Sequence, residues 1–193
     1  MGKIILASSS PRRALILRQH NIEFEVIPSP YKEDHSVTAF SYEFVENLAC
    51  CKARGVIPLL KEPSLILGAD TVVVLDGKIL GKPKDYDEAF SMLKSLSGRK
   101  HEVVTSIAII ESSGEKEKIR SVTSFVEFEN LSEEQIDFYL KEFKPYDKAG
   151  SYGIQEMPEG YIKGYEGSFE NIVGLCGQTV VEMLGEINAE CRA

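Results

Sequence analysis

None of the four cysteines, Cys50, Cys51, Cys176 and Cys191, belongs to a C-x-x-C pair. Adjacent Cys50-Cys51 is poor zinc-finger spacing, so the thiols read as reduced core or surface groups of a cytoplasmic protein. Positive charge is scarce: 22 Lys and Arg stand against 30 Asp and Glu, a formal net charge of -8. That argues against a general nucleic-acid coat, which needs a basic face. No apolar run approaches the ~20 residues of a membrane span, and the first residues contain no signal-peptide core, so no membrane partner is expected. Repeats and low-complexity linkers are missing too. There is no G-x-x-x-x-G-K-[ST], no G-x-S-x-G, no H-E-x-x-H and no dinucleotide fingerprint, which excludes the common phosphate-loop, hydrolase-elbow and zinc-protease designs. The 193 residues, 43% of them hydrophobic, suffice for one domain with a sizeable core.

What is present begins near the N-terminus. Residues 3–7 are short, apolar and β-branched, as in a buried strand, and residues 14–19 suit a helix. Between them lies Ser8-Ser9-Ser10-Pro11-Arg12-Arg13. Serine before a helix and proline at its first position are preferred starts. Backbone N–H groups, hydroxyls and two guanidinium groups therefore gather at one turn. Helix N-termini attract anions, and a charge-assisted hydrogen bond from arginine is worth roughly 1.5–3 kcal/mol. The turn reads either as a phosphate cradle or as an ordinary capped helix with solvated arginines, and this stretch alone does not separate the two.

The first helix is expected to end at His20-Asn21, with a strand over 23–27 and a proline-broken loop over 28–35. That loop carries Glu33, Asp34 and His35. Taken locally, it is a solvated acidic loop; the functional reading is a metal or substrate carboxylate. A helix over 41–54 follows, with Phe44, Val45, Leu48, Ala49 and Ala53 on one face. Lys52 falls on or beside that face. Snorkelling outward is its default, and reaching a buried anion the alternative.

Residues 64–75 form the most apolar stretch and read as a central strand with one carboxylate, Asp70, in its middle. An unpaired buried carboxylate costs several kcal/mol, so Asp70 must be paired, metal-bound or open to a cleft. Gly68 and Ala69 are expected to leave room there for a ligand. Asp76-Gly77 predicts a two-residue hairpin turn. Counting outward from it sets Thr71 opposite Lys82, which makes Lys82 the expected neighbour of Asp70 or of a phosphate near it. Capping-box patterns at 85–88 and 132–135 start two helices, strands are expected at 101–110, 121–128 and 161–167, and a last helix at 179–188. Residues 168–174 suit a turn or short helix. The glycine-rich 145–155 stretch offers Lys148 and Gln155, the latter with both a donor and an acceptor.

Two chemical groups emerge. Ser8, Ser10, Arg12, Arg13, Lys52, Lys82 and Lys148 suit phosphate oxygens, whereas Glu33 and Asp70 suit Mg²⁺, which is usually held by one or two carboxylates together with substrate phosphates. Phosphate transfer or hydrolysis needs both.

The strings LASSSPRR, LGADTVVVLDGKILGKPKD, LSGRKHEVVTS, DKAGSYGIQ and EGSFENIVGL run from residue 6 to about residue 175 in an order that resembles the Maf family of nucleoside triphosphate pyrophosphatases. The resemblance implies one α/β domain over 1–193, an elongated mixed β-sheet flanked by helices, with two lobes around a central cleft as in inosine triphosphate pyrophosphatases. It implies hydrolysis between the α and β phosphates with a divalent metal, Mg²⁺ foremost and Mn²⁺ or Co²⁺ as alternatives. Asp70 matches the residue assigned as base. Ser8, Arg12, Glu33, Lys52 and Lys82 match positions lining the active site, with Asp70 and Glu33 at the metal and Lys82 beside the chemistry. Arg13, Thr71 and Gln155 resemble the branch acting on dTTP and UTP, with CTP and modified pyrimidine nucleotides as further candidates. The chain departs from the family at Asn21, Lys144 and Cys176. A homodimer is a candidate partner state, and the sequence does not fix the oligomeric state. The rival implication is a non-catalytic regulator of septum formation that binds nucleotide or nucleic acid; the net charge opposes DNA binding.

Overall fold

The computed structural model describes residues 3–32 and 37–190. Its centre is a mixed sheet of seven strands in the order β2-β1-β3-β5-β6-β7, with β4 paired to β3. The strands are β1 (Lys3–Leu6), β2 (Glu25–Val26), β3 (Ser64–Leu75), β4 (Lys78–Leu80), β5 (Lys100–Glu111), β6 (Glu117–Phe128) and β7 (Ile162–Glu166). β1 runs parallel to β2 and β3; the remaining pairs are antiparallel. The helices are α1 (Pro11–Gln19), α2 (Tyr42–Arg54), α3 (Tyr86–Leu96), α4 (Glu133–Phe143), α5 (Phe169–Val173) and α6 (Gly177–Glu190).

Period-2 alternation along β3 assigns its side chains to opposite layers. Leu65, Leu67 and Ala69 pack with α1 and α6, while Ile66 packs with Ala49 and Ala53 of α2. Gly68 lies on the α2 side. A Cβ there would stand 2.2 Å from the Ala49 carbonyl oxygen and 2.8 Å from the Ala53 nitrogen. The glycine therefore lets a helix backbone lie directly on the strand. This corrects the expectation that Gly68 and Ala69 clear space for a ligand, since Ala69 is itself fully buried in the α1–α6 layer. A third cluster gathers α3, α4 and the 152–161 segment around Val73, Leu75 and Phe128.

One edge of β3 is paired with β5 from Leu65 to Val74. The other edge carries β1 against residues 64–67 and β4 against residues 73–75. Between those two partners the edge is open, and Asp70 and Thr71 lie in that gap. The split edge is what positions the site.

Most local expectations hold. Asn21 has the left-handed φ of 55° beyond α1, and Asp76 and Gly77 both have positive φ, as the hairpin turn requires. Ser132 and Gln135 form a full capping box. At 85–88 only half of one forms: Asp85 accepts from the Glu88 N–H, but the Glu88 carboxylate accepts from the Lys84 N–H instead. The 23–27 strand shrinks to two residues because β1 offers only Ile5 and Leu6 for pairing. β6 starts four residues before 121, since long pairing with β5 extends it through Glu117, Lys118, Ile119 and Arg120. Cys50, Cys51 and Cys176 are free thiols, and burial beside Glu117 pushes Cys50 up to about 12. Cys191 lies outside the described residues. Among the described residues no helix is long and apolar enough to cross a membrane.

Candidate active site

A cleft of about 820 Å³ opens over the gap in β3. Its walls include the Ser8–Arg13 turn, Lys52 of α2, Asp70 and Thr71 of β3, Lys82 after β4, and Asp147, Lys148 and Gln155. Every sequence-predicted site residue among the described ones thus reaches a single cavity. Glu33 lies outside the described residues.

Asp70 is an even-numbered residue of β3, so it faces α2 with Ile66 and Gly68. Lys52 follows Ala49 by about one helical turn, which sets it over Asp70 once Gly68 has let α2 down onto the strand. The Lys52 ammonium donates to Asp70 Oδ1, and the two side chains are only 13% and 7% exposed. Two expectations change here. Lys52 does not snorkel outward, and Asp70 takes Lys52 as its ion-pair partner rather than Lys82. β4 ends at Leu80, and Lys82 stands exposed on the cleft wall. The requirement that a buried carboxylate be compensated is met by a cation delivered from a helix rather than from the hairpin.

Thr71 is odd and faces the α1 and α5 layer. Arg13 is fastened there by three hydrogen bonds. Nε donates to the Gly174 carbonyl at 2.9 Å, Nη1 to Ser8 Oγ at 3.2 Å, and Nη2 to Thr71 Oγ1 at 3.1 Å. Arg12, one residue earlier, reaches across to Asp147 Oδ2 at 3.4 Å. The adjacent arginines therefore separate into one locked guanidinium and one loosely held. Ser10 occupies the position before α1 with Pro11 at its first residue, but its hydroxyl makes no cap bond and lines the cleft instead.

The far wall is a chain of ion pairs. Lys148 Nζ lies 2.9 Å from Asp147 Oδ1 and 3.1 Å from Glu156 Oε2. Burial works against the Asp147 charge, but Lys148 and Arg12 together hold its carboxyl below the ordinary range. Gln155 is exposed on this wall, in the short turn Ile154–Glu156. Behind it Tyr152 is buried and sits 2.7 Å from His101 Nε2. The sequence reading missed Asp147, Glu156 and the Gly174 carbonyl. Asp147 sits inside a quoted motif and neighbours a chosen lysine, so it was within reach. A backbone carbonyl carries no side-chain signal.

Among the described residues no three His, Cys, Asp or Glu side chains cluster as metal ligands. Among the described residues, the other carboxylates lining the cleft are engaged, Glu88 by the Lys84 N–H, Asp147 by Arg12 and Lys148, and Glu156 by Lys148. Asp70 is the carboxylate at the sheet gap. Such a donor set suits a hard cation that brings phosphate and water ligands with it, not one caged by protein alone.

A family model described as Maf-like protein matches residues 3–187. The chain belongs to that family. The resemblance drawn from its motifs is borne out along nearly the whole length. The chain is 43% identical over 189 residues to a dTTP/UTP pyrophosphatase of Ruminiclostridium cellulolyticum, covering 97% of each. It is 46% identical over 186 residues to a dTTP/UTP pyrophosphatase of Symbiobacterium thermophilum, covering 95% of this chain and 93% of that one. A solved HAM1 protein from Coxiella burnetii aligns over 66% of this Maf-like chain and 73% of its own, with 18% identity and a TM-score of 0.45.

Proposed function

We propose that this Maf-like chain hydrolyses dTTP and UTP to the monophosphate and pyrophosphate. Relatives named for that activity, similar over nearly the whole chain, support the reading. The observation that carries it in the geometry is the placement of Asp70 at the open edge of β3, facing a cleft otherwise rich in cations.

In this reading Asp70 receives a proton from water as the water oxygen bonds the α-phosphorus and the bridging bond to the β-phosphorus breaks. Lys52 occupies Asp70 Oδ1 and fixes the carboxylate's orientation, so Oδ2 is the oxygen turned to water or cation. Arg12, Lys82 and Lys148 meet the charge of the departing pyrophosphate, Arg13 with Ser8 and Ser10 lines the phosphate path, Gln155 faces the nucleoside, and Thr71 serves the substrate through the Arg13 it holds. A divalent cation, Mg²⁺ before Mn²⁺ or Co²⁺, held by Asp70 with Glu33 in support, would neutralise phosphate charge and polarise its oxygens. The Gln155 amide offers the paired donor and acceptor that a thymine or uracil edge presents in reverse.

The test is Asp70→Asn assayed with dTTP and Mg²⁺ for pyrophosphate. Turnover is expected to fall by about 10²-fold or more, since the variant keeps the shape and loses the proton acceptor. Pyrophosphate release near the wild-type rate would remove Asp70 from the chemistry. No observation favours the non-catalytic regulator.

A further inference from the structure

The residues that hold the Arg13 guanidinium, Ser8, Thr71 and Gly174, line the cleft, and Thr71 is in turn held from behind by Thr105, which does not. Thr71 Oγ1, which accepts from Arg13 Nη2, lies 2.9 Å from Thr105 Oγ1 and 3.2 Å from the Gly174 carbonyl. Thr105 Oγ1 in turn lies 3.2 Å from the Asn171 carbonyl. Thr105 is the cross-strand partner of Thr71 on β5 and is fully buried.

Each threonine hydroxyl has one hydrogen to give. Gly174 O already receives the Arg13 Nε–H at 2.9 Å. The arrangement that serves every acceptor therefore runs one way, from Arg13 to Thr71, from Thr71 to Thr105, and from Thr105 to the Asn171 carbonyl. Both of the carbonyls that end this arrangement belong to α5 and the glycine after it. That short helix is itself fastened to the sheet. Asn171 Nδ2 donates to the Val103 carbonyl and to Ser124 Oγ, each at 3.0 Å, and Ser124 Oγ also bonds the backbone of Ser168. A five-residue helix has little stability of its own, so these anchors are what fix its carbonyls in space.

We propose that Thr105 is a positioning residue, which holds Arg13 and Thr71 in one orientation on the cleft wall by coupling them to the anchored carbonyls of α5. The kinetic consequence rests on the pyrophosphatase reading; the positional one does not. A threonine pair across two strands also stabilises a sheet without any role in a site, and the experiment must separate those two.

Thr105→Val keeps the shape and removes the hydroxyl. Losing both hydrogen bonds of the Thr105 hydroxyl in the relay is expected to lower kcat/KM for dTTP and UTP about tenfold per folded molecule. It is also expected to speed hydrogen exchange at the Arg13 Nε–H, followed by NMR, because the guanidinium is no longer held flat against the Gly174 carbonyl. Thr105→Ser restores both. A lowered melting temperature with unchanged kcat/KM and unchanged Arg13 exchange would overturn the proposal and leave Thr105 a sheet residue only. Should Thr105→Val fail to fold, Thr105→Ala carries the same two readouts. If the wild-type chain turns over neither dTTP nor UTP, the pyrophosphatase reading fails, and the Arg13 exchange comparison alone decides the role of Thr105.

Discussion

The two walls of the cleft hold their charges in opposite ways. On the β3 wall, Lys52 and Asp70 pair under a backbone-to-backbone contact at Gly68, and both are almost wholly buried. On the facing wall, the Asp147 side chain is 64% exposed and is shared between Arg12 at 3.4 Å and Lys148 at 2.9 Å, although Lys148 itself is only 11% exposed. Exposed pairs of this kind are worth about 0–1 kcal/mol, whereas taking one partner from a buried pair costs about 3–5 kcal/mol. The difference divides the labour. The buried pair keeps one carboxylate in one orientation, as a proton acceptor must be kept. The exposed Asp147 can yield Arg12 and Lys148 to phosphate oxygens at little cost when a triphosphate arrives.

The comparison breaks first at Lys52. Lys52→Met leaves Asp70 in place without its cation, so dTTP turnover should fall by about 10²-fold and the urea midpoint should drop as well. Wild-type turnover in this variant would mean that the pair is structural only. Gly68→Ala attacks the same wall through packing. A methyl group 2.2 Å from the Ala49 carbonyl must push α2 off β3, at a cost of about 3 kcal/mol. Thermal unfolding reads the loss, and an unshifted melting temperature would contradict the packing described.

Acid tests the layer behind the far wall. His101 is buried against Tyr152 and Phe128, and burial pushes its pKa down to about 4. Protonation is thus easier in the unfolded chain, near 6.5, than in the folded one. The stability linked to neutral His101 is complete above about pH 7 and is lost as pH falls from 6.5 toward 4, reaching about 2 kcal/mol at pH 5. His101→Gln should flatten that slope in urea titrations between those limits. An equal slope in the variant would assign the loss elsewhere. The smallest effect belongs to the exposed wall. Asp147→Asn releases Arg12 and Lys148 from an internal competitor, so KM for dTTP should fall, and pyrophosphate should inhibit more strongly, by less than about fivefold. A hundredfold change would place Asp147 among the rigid elements after all.

Legibility in the sequence followed the same division. The strand at 64–75, the turn at 76–77 and the helix at 41–54 were readable because periodicity and turn chemistry are local. Asp70 stood out because a carboxylate in an apolar strand needs an explanation. Its partner did not, since Lys52 was judged by its own helix, and only the contact of α2 with Gly68 brings it to Asp70. The same glycine was read as space for a ligand for want of that contact. Arg12 and Arg13 differ in the sequence only through the family resemblance, which sets Arg12 at the active-site lining and Arg13 with the dTTP/UTP branch. Their physical difference appears when Gly174, 161 positions later, supplies the carbonyl that locks Arg13.

The most direct test of the account is hydrolysis of dTTP with Mg²⁺ in ¹⁸O-labelled water, with mass analysis of both products. Attack on the α-phosphorus by a water beside Asp70 predicts one ¹⁸O in the monophosphate and none in the pyrophosphate. Label in the pyrophosphate, or release of a diphosphate and orthophosphate, would contradict it.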